Sequence, residues 1–152
     1  MFEKELKEFG DNTINDLVAN YIRMGLKAFG TFERETKSIV SDRRLIIEAP
    51  YHARIMQDGR EPGKAPPPEA ILKWVRLGKI VKRGKISDES LAYLIGRKIA
   101  REGIKVPNKY NIGGVISDIL TDGRIEELTE ELLSRQVEEI KFETINRYEK
   151  AS

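Results

Sequence analysis

The stretch from Tyr51 to Pro68, YHARIMQDGREPGKAPPP, has a composition that could bind phosphate. It contains two glycines and a Gly63-Lys64 pair ahead of a segment that could open a helix, and P-loops combine such features. A P-loop, however, has four residues between its first glycine and the Gly-Lys pair, and Ser or Thr after it. Here Gly59 and Gly63 enclose three residues, one of them a proline without an N–H, and Ala65 follows. The sequence therefore disfavours nucleotide binding at this loop.

The other residue types that catalyse reactions or bind metals are sparse. His52 is the only histidine and there is no cysteine, so a metal site would have to use carboxylates. No serine lies in a nucleophile-elbow sequence. The pairs Glu126-Glu127 and Glu130-Glu131 could mimic a paired-carboxylate site, but we interpret them as the solvated face of a helix. We therefore expect no enzymatic activity, no metal, no cofactor and no small-molecule substrate.

A cluster of basic residues raises the alternative of nucleic-acid binding. Six Lys and Arg side chains lie between Lys73 and Lys85, beside Trp74. Neutralising phosphates with them would give a salt-sensitive, sequence-independent affinity. The cluster lacks interleaved aromatic residues and helix-turn-helix spacing, which weakens this interpretation. We keep a small basic DNA-binding protein as an alternative function. The candidate DNA-facing or intersubunit residues are Lys79, Lys82, Arg83 and Lys85.

Charge is distributed unevenly along the chain, although the net charge is only +2. Residues 1–42 carry 6 basic and 8 acidic side chains. Residues 43–110 carry 16 basic and 7 acidic side chains, and residues 111–152 carry 5 basic and 10 acidic ones. The middle segment is therefore +9 and the last segment −5. Such an arrangement can come from ordinary solvated faces, or from copies that meet head to tail through complementary patches.

The length of 152 residues fits one domain, and we expect a single domain over residues 1–152. The absence of cysteine excludes disulfides and thiolate zinc sites and suits a reducing compartment. The longest apolar runs, such as Leu45-Ile46-Ile47, are far too short to span a bilayer. The first residues mix charges of both signs, unlike a signal peptide. We therefore expect a protein without a membrane span or leader.

The N-terminal elements that precede the loop are predicted from periodicity and punctuation. Apolar residues at helical spacing predict a helix from about Asp11 to Gly30, with Gly10 breaking or bending an earlier turn. From Thr31 the pattern changes to β-branched and alternating residues. This pattern predicts a hairpin that turns at Ser41-Asp42.

The elements around and after the loop are mostly helical. We predict a helical turn over Tyr51–Met56, a helix led in by the proline cluster, and a helix over 87–103 capped by Ser87-Asp88. A last helix should span at least 125–137. Its tail, 141–148, alternates enough for a closing strand, and a continued helix is the alternative. The predicted class is α+β, a small antiparallel β-sheet packed against several α-helices.

The residues around the loop resemble those of one family, the tail-completion or neck proteins of long-tailed bacteriophages. In that family a tyrosine-alanine turn leads to a glycine, an Arg-x-Pro-Gly-Lys-x-Pro-Pro loop and an amphipathic helix with a tryptophan. Here these features are Tyr51-His52-Ala53, then DGREPGKAPP and ILKWV, followed by the helical stretch AYLIGRKIAREG. The resemblance covers residues 50–105. After it the family has a Pro-Phe-x-x-Pro segment, where this chain has VPNKYNI.

The resemblance implies a virion protein assembled in the bacterial cytoplasm, without catalytic activity. Its copies would form a ring, usually of six, between the head-completion or connector proteins and the tail-tube protein, with genomic DNA passing through the bore. The loop would dock onto a neighbouring subunit or partner through Arg60, Glu61 and Lys64 at its tip, and Tyr51 and Ile55 would anchor its base. Because prolines stiffen the loop, docking would cost it little entropy. The candidate docking residues are Gly59, Arg60, Glu61, Pro62, Gly63, Lys64, Pro66 and Pro67.

Overall fold

A computed structural model describes residues 2–78 and 80–151. Over these residues the chain forms six helices and one two-stranded antiparallel sheet, and the first helix packs against both strands. The predicted α+β class is therefore confirmed. The helices are α1 (Glu3–Arg23), α2 (Thr31–Glu35), α3 (His52–Asp58), α4 (Pro68–Arg76), α5 (Asp88–Glu102) and α6 (Asp122–Ala151), and the strands are β1 (Lys37–Ser41) and β2 (Arg44–Glu48).

The first helix, α1, is continuous, so the predicted break at Gly10 is wrong. Gly10 is buried where the hairpin crosses the helix. A Cβ atom there would lie 2.7 Å from Leu45 Cδ1 and 2.8 Å from Ser38 Cβ. The glycine thus allows helix and sheet to approach closely. The helix also ends at Arg23, well before the predicted end near Gly30.

The predicted hairpin is present, but it turns one residue later than the predicted Ser41-Asp42, because Ser41 is the last residue of β1 and pairs with Arg44. Its two turn residues, Asp42 and Arg43, have φ values of 49° and 61°, as the tight turns of two-residue hairpins require. In the resulting register Ile39 lies opposite Ile46. The sheet is thereby fixed by a local turn.

The segment that starts at Thr31 is the helix α2, so the strand predicted there is wrong. Gly30, with φ 71°, turns the chain into this helix. The helical turn brings Phe32 into the core, where it is 1% exposed and its ring centroid lies 4.7 Å from that of Tyr21. Burial of this aromatic pair outweighs the alternating pattern that indicated a strand.

The main core also takes in the long segment between α5 and α6. Val115 of that segment is fully buried beside Tyr21 and Phe32. Because the segment is irregular, its backbone groups need partners outside regular structure. Amide side chains supply two of them: Asn20 Nδ2 donates to the Val115 carbonyl (3.1 Å), and Gln57 Oε1 accepts from the Ile116 N–H (2.8 Å). In turn, Asn111 of the segment donates through Nδ2 to the Met56 carbonyl of α3 (2.8 Å).

The helices α4 and α5 pack on each other and form a second, smaller core. Both were predicted, since Pro68 stands at the start of α4 and the Ser87 hydroxyl accepts from the Ser90 N–H to cap α5. Their contact buries Ile71 against the face of α5 that carries Gly96. This cluster is separate from the main core. Its buried members are Ile71, Val75 and Ala92.

The last helix, α6, runs to Ala151, so the predicted closing strand over 141–148 is wrong and the helical alternative is right. A helix satisfies its backbone groups internally, whereas a strand would need a partner strand. The helix begins antiparallel to α1. Two ion pairs fix this arrangement: Arg124 with Asp16 at 2.7 Å, and Arg135 with Glu5 at 2.8 Å.

Candidate functional site

The loop between α3 and α4 is fastened at its base to the segment that follows α5. The Arg60 N–H donates to the Ile104 carbonyl at 2.8 Å, and the Ile104 N–H donates back to the Arg60 carbonyl at 2.7 Å. This two-residue antiparallel bridge joins two segments that are far apart in the sequence. We call it the brace.

Each half of the brace is preceded by a glycine. Gly59 has φ 81° and ψ −159°, and Gly103 has φ 70° and ψ −161°, a region that only glycine occupies readily. A Cβ atom on Gly59 would lie 2.1 Å from the Ile104 carbonyl oxygen, and one on Gly103 would lie 2.1 Å from the Arg60 carbonyl oxygen. Two glycines, one on each segment, are therefore needed for the backbones to meet.

The loop beyond the brace is held by its own polar groups. The Gly63 N–H donates to the Ala100 carbonyl of α5 at 2.8 Å, and the Arg60 guanidinium donates to the Lys64 carbonyl. The N–H groups of Arg60 and Gly63 are thus engaged within the protein. A phosphate could not use them without breaking the loop's attachment.

The tip of the loop faces solvent. Glu61, Pro62, Gly63, Lys64 and Pro67 are exposed, and Pro66 is half-buried. The side chains of Glu61 and Lys64 form no ion pair with any residue in the described part of the chain. The loop therefore presents one acid and one base on a backbone that is already fixed.

Arg60 and Tyr51 do not have the roles that were expected of them, a contact at the tip and an anchor at the base of the loop. Arg60 is half-buried, and its guanidinium braces the loop from within, so it is not a free contact at the tip. Tyr51 is 79% exposed and does not anchor the loop's base. Ile55 is half-buried and lines the groove beside the loop.

A groove of about 1470 Å³ runs beside the loop, between α3, α5 and residues 103–111. Its floor is mostly apolar, and its margin includes the loop residues Arg60 to Pro62. Gly25 and Leu26, just after α1, close one side. Its apolar floor residues are Leu26, Ile55, Met56, Trp74, Ile95 and Ile99.

The rim of the groove on the α5 side is positively charged. The Glu102 carboxylate lies 2.5 Å from the Arg101 guanidinium and 3.9 Å from the Lys98 ammonium. The hydrogen bond from Arg101, with the nearby charges of Arg101, Lys98 and Lys105, holds the pKa of Glu102 below its ordinary value. One carboxylate thus faces three cations. The α5 side of the rim keeps a surplus of positive charge at neutral pH, and Asp58 and Glu61 also line the groove.

Three of the candidate basic residues, Lys82, Arg83 and Lys85, lie on the connector between α4 and α5 and do not line the groove. Lys82 forms an ion pair with Asp88 in the first turn of α5. Arg83 and Lys85 are exposed and form no ion pair with the described residues. Lys79 lies outside the residues that the structure describes. The structure therefore does not join this basic segment to the loop in one site.

Sequence reasoning missed Gly103 and Ile104, the half of the brace that follows α5. It also missed the amide side chains of Asn20, Gln57 and Asn111, which hold the segment between α5 and α6. Gly103 was assigned only as the end of α5. Its pairing with Gly59 has no local signature, because the two glycines meet only in the folded chain. The polar stretch VPNKYNIGG indicated a loop but not the buried position of Asn111 within it.

Comparisons with protein-family models, with curated proteins and with solved structures give no match to this chain. Across residues 2–78 and 80–151, no group of three His, Asp or Glu side chains is placed to hold a metal ion. In the same residues no helix is long and apolar enough to cross a membrane. The braced loop and the groove beside it form the candidate site.

Proposed function

We propose that this chain is a structural virion protein of a tailed bacteriophage. Its copies form a ring, of six as the resemblance implies, at the head–tail interface, where the ring completes the tail and joins it to the head connector. Genomic DNA passes through the bore. The protein works through complementary surfaces, without a catalytic step or a cofactor.

The braced loop is the observation that carries this proposal. A segment that is already fixed loses little conformational entropy on binding, so more of the contact energy appears as affinity. Here the brace and the Gly63–Ala100 hydrogen bond fix the backbone, while Glu61 and Lys64 stay free in solvent. This combination suits docking against another protein surface. Neighbouring copies, the head-completion protein and the tail-tube protein are the proposed partners.

The basic connector supports a contact with DNA in the bore. Arg83 and Lys85 are exposed, and such side chains neutralise phosphates without reading sequence. The same observation favours the second candidate function, a small basic DNA-binding protein that forms no ring. That candidate predicts that the purified protein binds duplex DNA and that the affinity falls steeply with added salt.

Mass spectrometry of purified virions tests the proposal directly. We expect the chain in finished particles, at a copy number that matches a ring. Its absence from particles, together with salt-sensitive binding of the free protein to duplex DNA, would favour the second candidate.

The loop's role is tested by exchanging its two free charges, Glu61→Lys with Lys64→Glu, which keeps the net charge. Because misplaced charges in an interface cost several kcal/mol, we expect joined particles to fall by about tenfold or more while the protein stays folded. The matched control is Glu69→Lys with Lys73→Glu on α4, two exposed positions outside the loop. Equal assembly by both double variants would contradict docking through the loop.

A further inference from the structure

The far end of α6 extends beyond the body of the protein. The ion pairs Asp16–Arg124 and Glu5–Arg135 set α6 antiparallel to α1, and α1 begins at Glu3. The helix from about Glu138 onward therefore has no part of α1 beside it. At 1.5 Å per residue this extension is about 20 Å long.

An apolar stripe leads onto this extension. Leu133, Val137 and Ile140 are spaced by four and three residues, so they share one face of the helix. They are 57%, 49% and 56% exposed, whereas Leu128 and Leu132 are half-buried on a different face. We call the helix from Glu130 to Glu143 the arm. Its exposed apolar stripe is of the kind that marks a protein interaction site.

We infer that the arm of one copy packs into the groove beside the braced loop of a second copy. The groove exceeds the volume of roughly 300–1,000 Å³ typical of small-molecule pockets, and an amphipathic helix in an apolar groove is a recurrent mode of protein recognition. This inference rests on the proposed function, because it assigns the two surfaces through which neighbouring copies of the proposed ring would meet.

The two surfaces are complementary in charge. Glu130 lies one turn before Leu133, and Glu143 lies one turn after Ile140, so acids stand at both ends of the stripe. The groove is lined by four cations, Arg60, Lys98, Arg101 and Lys105, and by three acids, Asp58, Glu61 and Glu102. Its surplus is therefore positive, and the cations of the α5 side, Lys98, Arg101 and Lys105, surround Glu102. In the proposed contact the apolar stripe covers the floor of the groove, and the acids meet the rim.

The positions of arm and groove favour a second copy as the occupant. The groove includes Gly25 and Leu26, at the C-terminal end of α1, whereas the arm passes the N-terminal end of α1. These ends are about 30 Å apart. The arm therefore lies far from its own groove. A contact between different patches on two copies is heterologous, and repeated contacts of this kind build rings or filaments.

Cysteine cross-linking tests the inference, because the chain has no cysteine of its own. One preparation carries Glu143→Cys, and the other carries Lys98→Cys, Arg101→Cys or Lys105→Cys. The two are mixed at about 2 mM each, which brings roughly half of the protein into complex even when Kd is about 1 mM, and then oxidised. We expect a mixed dimer with at least one rim position. Phe142→Cys, on the opposite side of α6 and 66% exposed, is the matched control and should give at least tenfold less product.

Other outcomes would overturn the inference. Dimers of Glu143→Cys alone, without mixed dimers, would show that arms pair with arms. No mixed dimer at any rim position would show that the arm does not bind the groove. Val137→Asp with Ile140→Asp should reduce the mixed product at least tenfold, whereas Phe142→Asp should not. Cross-linking tests this contact in the purified protein, whereas mass spectrometry of virions tests the proposed function. Either proposal can therefore fail while the other stands.

Discussion

Two glycines decide whether the loop can be a fixed projection. The prolines limit the loop's freedom, but its position on the body depends on the brace, in which Gly59 and Gly103 flank the paired residues Arg60 and Ile104. Each glycine combines a positive φ with contact to the opposite carbonyl. A side chain at either position would have to push the two backbones apart. The rigidity proposed for the loop is therefore a property of residues outside its proline-rich tip.

Gly59→Ala tests this requirement against Gly84→Ala. Gly84 also has a positive φ, 75°, but a Cβ atom there meets nothing within 4 Å. The control should lose about 1–2 kcal/mol of unfolding free energy, the cost of the left-handed conformation alone. Gly59→Ala should lose about 3 kcal/mol or more, because the carbonyl contact is added. Urea unfolding monitored by circular dichroism measures both, and equal losses would contradict the brace.

Elements with local determinants could be predicted from the sequence, and elements set by distant contacts could not. The cap at Ser87 and the prolines before α4 act within one helical turn, so α4 and α5 were predicted. Gly10 was interpreted as a break because its partner, the hairpin, comes nearly thirty residues later. The same limit hid the pairing of Gly103 with Gly59 in the candidate site. The tip residues could be placed in a loop from the sequence because proline and glycine act on their own backbone.

Gly10→Ala tests whether the close contact with the hairpin requires a glycine at this position of α1. In an unobstructed helix, alanine in place of glycine stabilises by roughly 0.5–1 kcal/mol. At Gly10 the new Cβ atom would fall within 3 Å of Leu45 and Ser38, so we expect a loss of about 1–3 kcal/mol. Gly123→Ala in the first turn of α6, with nothing within 4 Å, is the control and should be neutral or stabilising. Thermal unfolding measures both, and stabilisation by Gly10→Ala would show that the hairpin does not hold this contact.

The described part of the chain has two hydrophobic cores, which draw on elements before and after the loop in the sequence. One core joins α1, α2, α3 and Val115, and the other lies between α4 and α5. The brace and the Gly63–Ala100 hydrogen bond connect the loop to the end of α5. The arm and the groove lie near opposite ends of α1, with opposite surplus charge. A copy built in this way can contact a neighbour at each end while its loop stays fixed.

Separate cores predict that α4 and α5 open as a unit without unfolding the rest. Ile71 is 6% exposed in the smaller core, and Ile→Ala changes in cores cost roughly 2–5 kcal/mol. If the unit opens independently, Ile71→Ala should speed amide exchange in α4 and α5 by about a hundredfold and leave α1 unchanged. Leu17→Ala, a comparable deletion in the main core at 3% exposure, should instead speed exchange in α1. Hydrogen exchange read by mass spectrometry distinguishes the two patterns. Equal acceleration of exchange in α1 and α5 in both variants would mean that the chain opens as one unit. In that case a subunit that docks at the loop would stabilise both cores and not only the one between α4 and α5.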